Sequence, residues 1–135
     1  MPLLDIYSLR NSGLDGIESQ PIVSQGDIIA RNSFGFTWSG TTLVEVWSTM
    51  SPINGTLRCA FTFYGNGGVA GYASRAQIYK NSQPYGVYRA SQSEPVNFLE
   101  DLKFEAGDKI QLYVKAGYPE AGYSASVNNL SITKL

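Results

Sequence analysis

Apolar side chains recur at every second position from Asp27 to the C-terminus, in short runs broken by Gly, Pro, Asn or Ser. The breaks fall at roughly the eight-to-twelve-residue spacing of short strands. A period of two sends alternate side chains to opposite faces, which an extended strand does and a helix does not. No stretch sustains the 3.6-residue helical period, so the expected fold is all-β. LRCAFTFY, residues 57–64, is the clearest case: Leu57, Cys59, Phe61 and Phe63 form a dry face, while Arg58, Thr62 and Tyr64 form a wetter one. These four apolar residues are the expected centre of the core, and the two Phe side chains alone could contribute roughly 3 to 6 kcal/mol.

Strands are expected at 27–31, 34–38, 41–50, 56–64, 71–79, 84–90, 96–104, 109–115 and 124–134. Such a series of short strands implies a two-sheet antiparallel β-sandwich. A chain of 135 residues is about one domain and buries roughly two-thirds of its unfolded surface, so it needs no staples. Residues 1–26, where Gly13, Gly16, Pro21 and Gly26 interrupt short apolar pieces, read as an N-terminal arm with short strands that docks on a neighbour. Residues 27–135 read as the sandwich domain.

Local chemistry refines the strands. In TTLVEVWSTM, Leu43, Glu45 and Trp47 share one face by parity, and Val44 and Val46 share the other. In SASVNNLSITKL the apolar parity changes between Val127 and Leu130, which a bulge at Asn128 and Asn129 repairs. SPING (51–55) and KNSQP (80–84) supply turns, with Asn54 and Gly55 suited to positive φ, and the second turn joins AQIYK to YGVYRAS as a hairpin. In FEAGDKIQLYVKAGY, Ile110, Leu112 and Val114 point one way. Gln111, Tyr113 and Lys115 then lie on a sheet face that meets solvent or a neighbouring subunit.

Composition narrows function. Charged residues are 16% of the chain, against roughly 25% in ordinary globular proteins. Ten Lys and Arg face eleven Asp and Glu for a net charge of -1, with neither sign gathered into a block. Nucleic acid is therefore not an expected partner. The start, MPLLDIYSLRNSG, lacks a basic and apolar export signal, and no apolar run reaches the roughly 18 residues of a membrane span, so membrane insertion is not expected. Histidine is absent, which excludes Ser-His-Asp and Cys-His chemistry and His-based metal sites. The single Cys59 can form no internal disulfide and reads as a small buried hydrophobe.

Weaker motifs fail on context. Glu94, Glu100, Asp101, Glu105 and Asp108 cluster in sequence, but they alternate with Phe98, Leu102, Lys103 and Phe104 without the spacing of a calcium loop, and read as a solvated strand edge and turn. GNGGVA (65–70) fits a dinucleotide-binding pattern on paper, yet a strand follows it where a helix is required. No cofactor, metal or catalytic residue is assigned. NGT (54–56) and NLS (129–131) match the N-glycosylation sequon, which has no meaning without export.

Ala-Gly-Tyr occurs three times, at 70–72, 116–118 and 121–123. Tyrosine offers a broad flat face at small entropic cost and a hydroxyl for hydrogen bonding. Tyr72, Tyr118 and Tyr123, with Tyr113, form the candidate contact surface for a sugar, a receptor or a sister subunit, or else cover the ends of the sandwich.

The order of AQIYKNSQPYGVYRAS, VNFLEDLKF, AGDKIQLYVKAG and SASVNNLSI from Ala76 onward resembles the jelly-roll modules of tailed-phage virion proteins, such as tail-tip or fibre head domains and capsid decorations. It is also similar to C1q/TNF-like jelly rolls. The resemblance covers about 60 residues of the chain and implies jelly-roll topology, a homotrimer, loops for adhesion and no catalytic centre. The reading it implies is a non-enzymatic virion protein, made in the host cytoplasm, that binds other virion proteins and a host surface glycan. A carbohydrate-binding module or lectin is the alternative, and an enzyme built on the scattered carboxylates is a third.

Overall fold

The computed structural model of the chain describes residues 23–32, 35–66, 73–92, 94–118 and 123–135. Among them lie ten strands: β1 (Ile28–Asn32), β2 (Phe36–Trp38), β3 (Val44–Met50), β4 (Gly55–Asn66), β5 (Ser74–Lys80), β6 (Gln83–Pro84), β7 (Arg89–Ser91), β8 (Val96–Phe104), β9 (Lys109–Lys115) and β10 (Ser124–Lys134). Sheet A runs β1-β10-β4-β8 with β2 also on β10, and sheet B runs β3-β9-β5-β6 with β7 also on β5. Every pairing is antiparallel. After β2 the chain changes sheet at each step, apart from the β5 to β7 meander, and this is the order of a jelly roll. The all-β sandwich expected from the sequence is the fold adopted. Among the described residues no helix is long and apolar enough to cross a membrane. Of the expected arm, residues 1–22 lie outside the described residues.

The core forms where the inner faces of the two sheets meet. Leu57, Cys59, Phe61 and Phe63 of β4 are at most 3% exposed. They pack in one cluster with Ala76 and Ile78 of β5, Ile110, Leu112 and Val114 of β9, and Val127, Leu130 and Ile132 of β10. Each fully buried aliphatic or Phe side chain contributes about 1.5 to 3 kcal/mol, which makes this cluster the main source of stability.

Two bulges set the parity. On β10 the register slips between Asn128 and Ser131, and Asn129 takes φ 56°. This is the expected repair, and it turns both Val127 and Leu130 inward. On β3 a slip between Glu45 and Trp47 places Trp47 opposite Leu112 and Glu45 opposite Tyr113. Leu43, Glu45 and Trp47 therefore do not share a face. The extra residue reverses parity at Val46, so Trp47 joins Val44 on the core side and Glu45 is left outside.

The strand expected at 84–90 is split. Asn81 (φ 51°) and Ser82 (φ 67°) form the tight hairpin turn. Beyond β6 the N–H groups of Tyr85 and Gly86 both donate to the Ile78 carbonyl, at 3.1 and 2.9 Å, so the chain leaves the ladder until β7. In SPING, Gly55 takes positive φ (152°), whereas Asn54 acts through its side chain, whose Oδ1 accepts the Ala106 N–H at 2.7 Å.

Candidate functional site: a tyrosine pair on the outer face of sheet B

With Ala76 and Ile78 turned into the core, Arg75, Gln77 and Tyr79 of β5 stand on the outer face of sheet B. By the same alternation Lys109, Gln111, Tyr113 and Lys115 of β9 stand outside Ile110, Leu112 and Val114. The register sets Gln77 opposite Tyr113, Tyr79 opposite Gln111, and Arg75 opposite Lys115. Gln-Ile-Tyr on β5 thus runs against Gln-Leu-Tyr on β9, and the two tyrosines meet on the diagonal. Their rings stack 3.8 Å apart at 16°. Burial, then the neighbouring Tyr113 and Tyr88, raises the pKa of the Tyr79 phenol. Tyr88 is 44% exposed, and the Arg75 guanidinium lies 5.1 Å from its ring centre.

The amides are held firmly. Gln77 Nε2 donates to the Gly86 carbonyl at 2.8 Å. Gln111, expected on a wet face, is 1% exposed. Its Oε1 accepts the Ser82 N–H at 2.6 Å, and its Nε2 donates to Glu45, which also pairs with Lys109 Nζ at 3.5 Å. The hairpin turn and β3 therefore close over Gln111, while Tyr113 and Lys115 stay half-buried.

Tyr113, singled out from the sequence, lies in this site. Tyr118 and Tyr123 come together at the two ends of the 119–122 connection, ring centres 5.1 Å apart and tilted 54°. Tyr72 lies outside the described residues. Tyr79, Tyr88 and Arg75 were not anticipated. The repeated Gln-apolar-Tyr triplet was the signal that could have found Tyr79, since two such triplets in antiparallel register set each Gln opposite a Tyr.

The acidic cluster separates into distinct roles. Glu100 is not part of a solvated edge: it lies opposite the buried Cys59 and enters the side of the sandwich. There its Oε2 accepts the Val87 N–H at 2.8 Å, and Arg89 Nη2 donates to its Oε1 at 3.2 Å. Asp101 points outward and takes both Nε and Nη2 of Arg58, at 2.8 and 2.9 Å. Asp108 closes its own turn, accepting the Glu105 N–H at 2.8 Å. Among the described residues no group of three or more His, Cys, Asp or Glu side chains is placed to hold a metal ion.

No protein-family model matches the chain, and no curated protein matches it. Among solved structures it is similar to the CBM22-1 xylan-binding domain of Paenibacillus barcinonensis Xyn10C, with 14% identity over 84% of this chain and 99% of that one and a TM-score of 0.48. It is also similar to the sugar-binding EclA C-terminal domain, with 9% identity over 91% of this chain and 89% of that one and a TM-score of 0.48. Rabbit GITRL gives 18% identity over 67% of this chain and 77% of that one, with a TM-score of 0.43. At these identities and scores none of the likenesses bears on function.

Proposed function

We propose that this protein is a non-catalytic carbohydrate-binding module and that the outer face of sheet B receives the sugar. The observation that carries this reading is the Tyr79–Tyr113 stack, set between two ordered glutamines. Aromatic rings offer apolar faces to the C–H faces of a sugar and their phenols pair with its hydroxyls, while the buried Gln111 amide braces the face from beneath. Neither phenol oxygen of the stacked pair has a hydrogen-bond partner among the described residues, so both can serve a ligand. A glycan array followed by calorimetry tests the proposal. Binding is expected, and Tyr113→Ala should abolish it while the chain still unfolds cooperatively, with a midpoint lowered only by the lost ring stack. No signal above background at high protein concentration would sink the reading.

A trimeric phage virion module is the second reading. Apolar side chains on the outer face of sheet A, where Ile28 is 49% and Leu99 54% exposed, support only the self-association that this reading requires. Sedimentation equilibrium separates the two: a stable trimer supports the virion module, and a monomer at all concentrations favours the free binding module.

A further inference from the structure

Resting on the reading of sheet B as a glycan surface, we infer that its ligand is acidic, with carboxylates that meet Arg75 and Lys115. These two cations lie directly opposite each other on β5 and β9, on the same outer face as the tyrosine pair, one same-face step along β9 from Tyr113 and two along β5 from Tyr79. Side chains in such register have Cβ atoms about 4.5 to 5.5 Å apart, and like charges placed so destabilise the sheet. A carboxylate within reach would relieve the repulsion, but among the described residues neither cation forms an ion pair. Glu45, on the same face, is drawn away towards Lys109 and Gln111.

Arg75 lies over the Tyr88 ring, which positions a guanidinium suited to bidentate carboxylate recognition. The cation pair is local, because the chain as a whole carries a net charge of -1. It is too small a patch for a phosphate backbone. Beside it stand two phenols with free hydroxyls and the ordered Gln77 amide, which suit the hydroxyl-rich ring of a uronic acid better than the backbone of an acidic peptide.

The test titrates the full chain with oligogalacturonate and oligomannuronate, and with the methyl esters of both. The acid and ester forms present the same rings and hydroxyls and differ in charge. The acid form of at least one is expected to bind about ten-fold tighter than its ester, with the advantage shrinking as salt is added. In the Arg75→Gln, Lys115→Gln double variant the acid and ester affinities should converge. That variant should unfold close to wild type, since the repulsion it removes offsets the Arg75–Tyr88 contact it loses. If an ester binds as tightly as its acid, or only neutral sugars on the array bind, the inference fails and the glycan reading stands. If no sugar of any kind binds, both fail. If poly-glutamate binds in an Arg75-dependent way and no uronate does, the cations serve a peptide and the inference is overturned.

Discussion

Glu100 of β8 lies directly opposite Cys59 of β4, and because Cys59 is wholly buried the carboxylate points into the sandwich from an edge strand. It links the sheets there: Val87 and Arg89, which precede or lie in β7 of sheet B, both donate to it. The two charged side chains are only 18% and 13% exposed. An inward charge also discourages a foreign strand from pairing with the edge. Glu100→Ala should destabilise the fold by about 2 to 4 kcal/mol, since it strands the guanidinium. It should also speed amide exchange at Val87. A urea midpoint unchanged from wild type would show that the pair contributes nothing.

Ser82 holds φ 67° beside Asn81, a conformation that costs a non-glycine residue roughly 1 kcal/mol. Ser82→Gly creates the Asn-Gly pair that such turns prefer and keeps the N–H that donates to Gln111. The variant should be more stable by about 0.5 to 1 kcal/mol in chemical denaturation.

Asp101 and Asp108 both titrate below the ordinary carboxylate value. The hydrogen bond from Arg58, then its charge, holds Asp101 down; the Glu105 N–H, then the Asn81 amide, holds Asp108 down. The unfolded chain therefore takes up protons first as the pH drops. The stability these groups supply is complete above about pH 3.9 and is lost as pH falls through their lower folded values. Urea midpoints should decline across that acid window, and Asp108→Asn should flatten the decline.

Burial, then the charges of Glu100 and Asp101, pushes the Cys59 thiol up to about 12. Native protein at mildly alkaline pH should resist alkylation and react fully once denatured. Labelling of the folded chain at the rate of a free thiol would mean that β4 opens far more often than its packing allows.

Much of this fold is legible in the sequence because strand parity is a local signal. The Leu57 to Phe63 row and the Asn128–Asn129 bulge could be read directly, since each conflict lies within one strand. The Val46 bulge could not: its parity makes sense only when Leu112 is known to lie opposite Trp47. Glu100 reads as a solvated edge for a related reason, because its partner Arg89 lies on a strand of the other sheet and charge alone does not say which way a residue faces. Tyr113 was found by its alternation, whereas its partnership with Tyr79 depends on the register between β5 and β9. That register is fixed only by the whole sandwich.

The position of β10 bears on how the protein is made. It lies between β1 and β4, yet it is the last strand of the domain to leave the ribosome. Until it emerges, β1 and β2 have no partner among the described strands of sheet A, and β4 lacks one of its two neighbours. The domain can therefore close only once β10 has emerged, by insertion of that strand between β1 and β4, and the nascent chain holds unpaired strand edges until then.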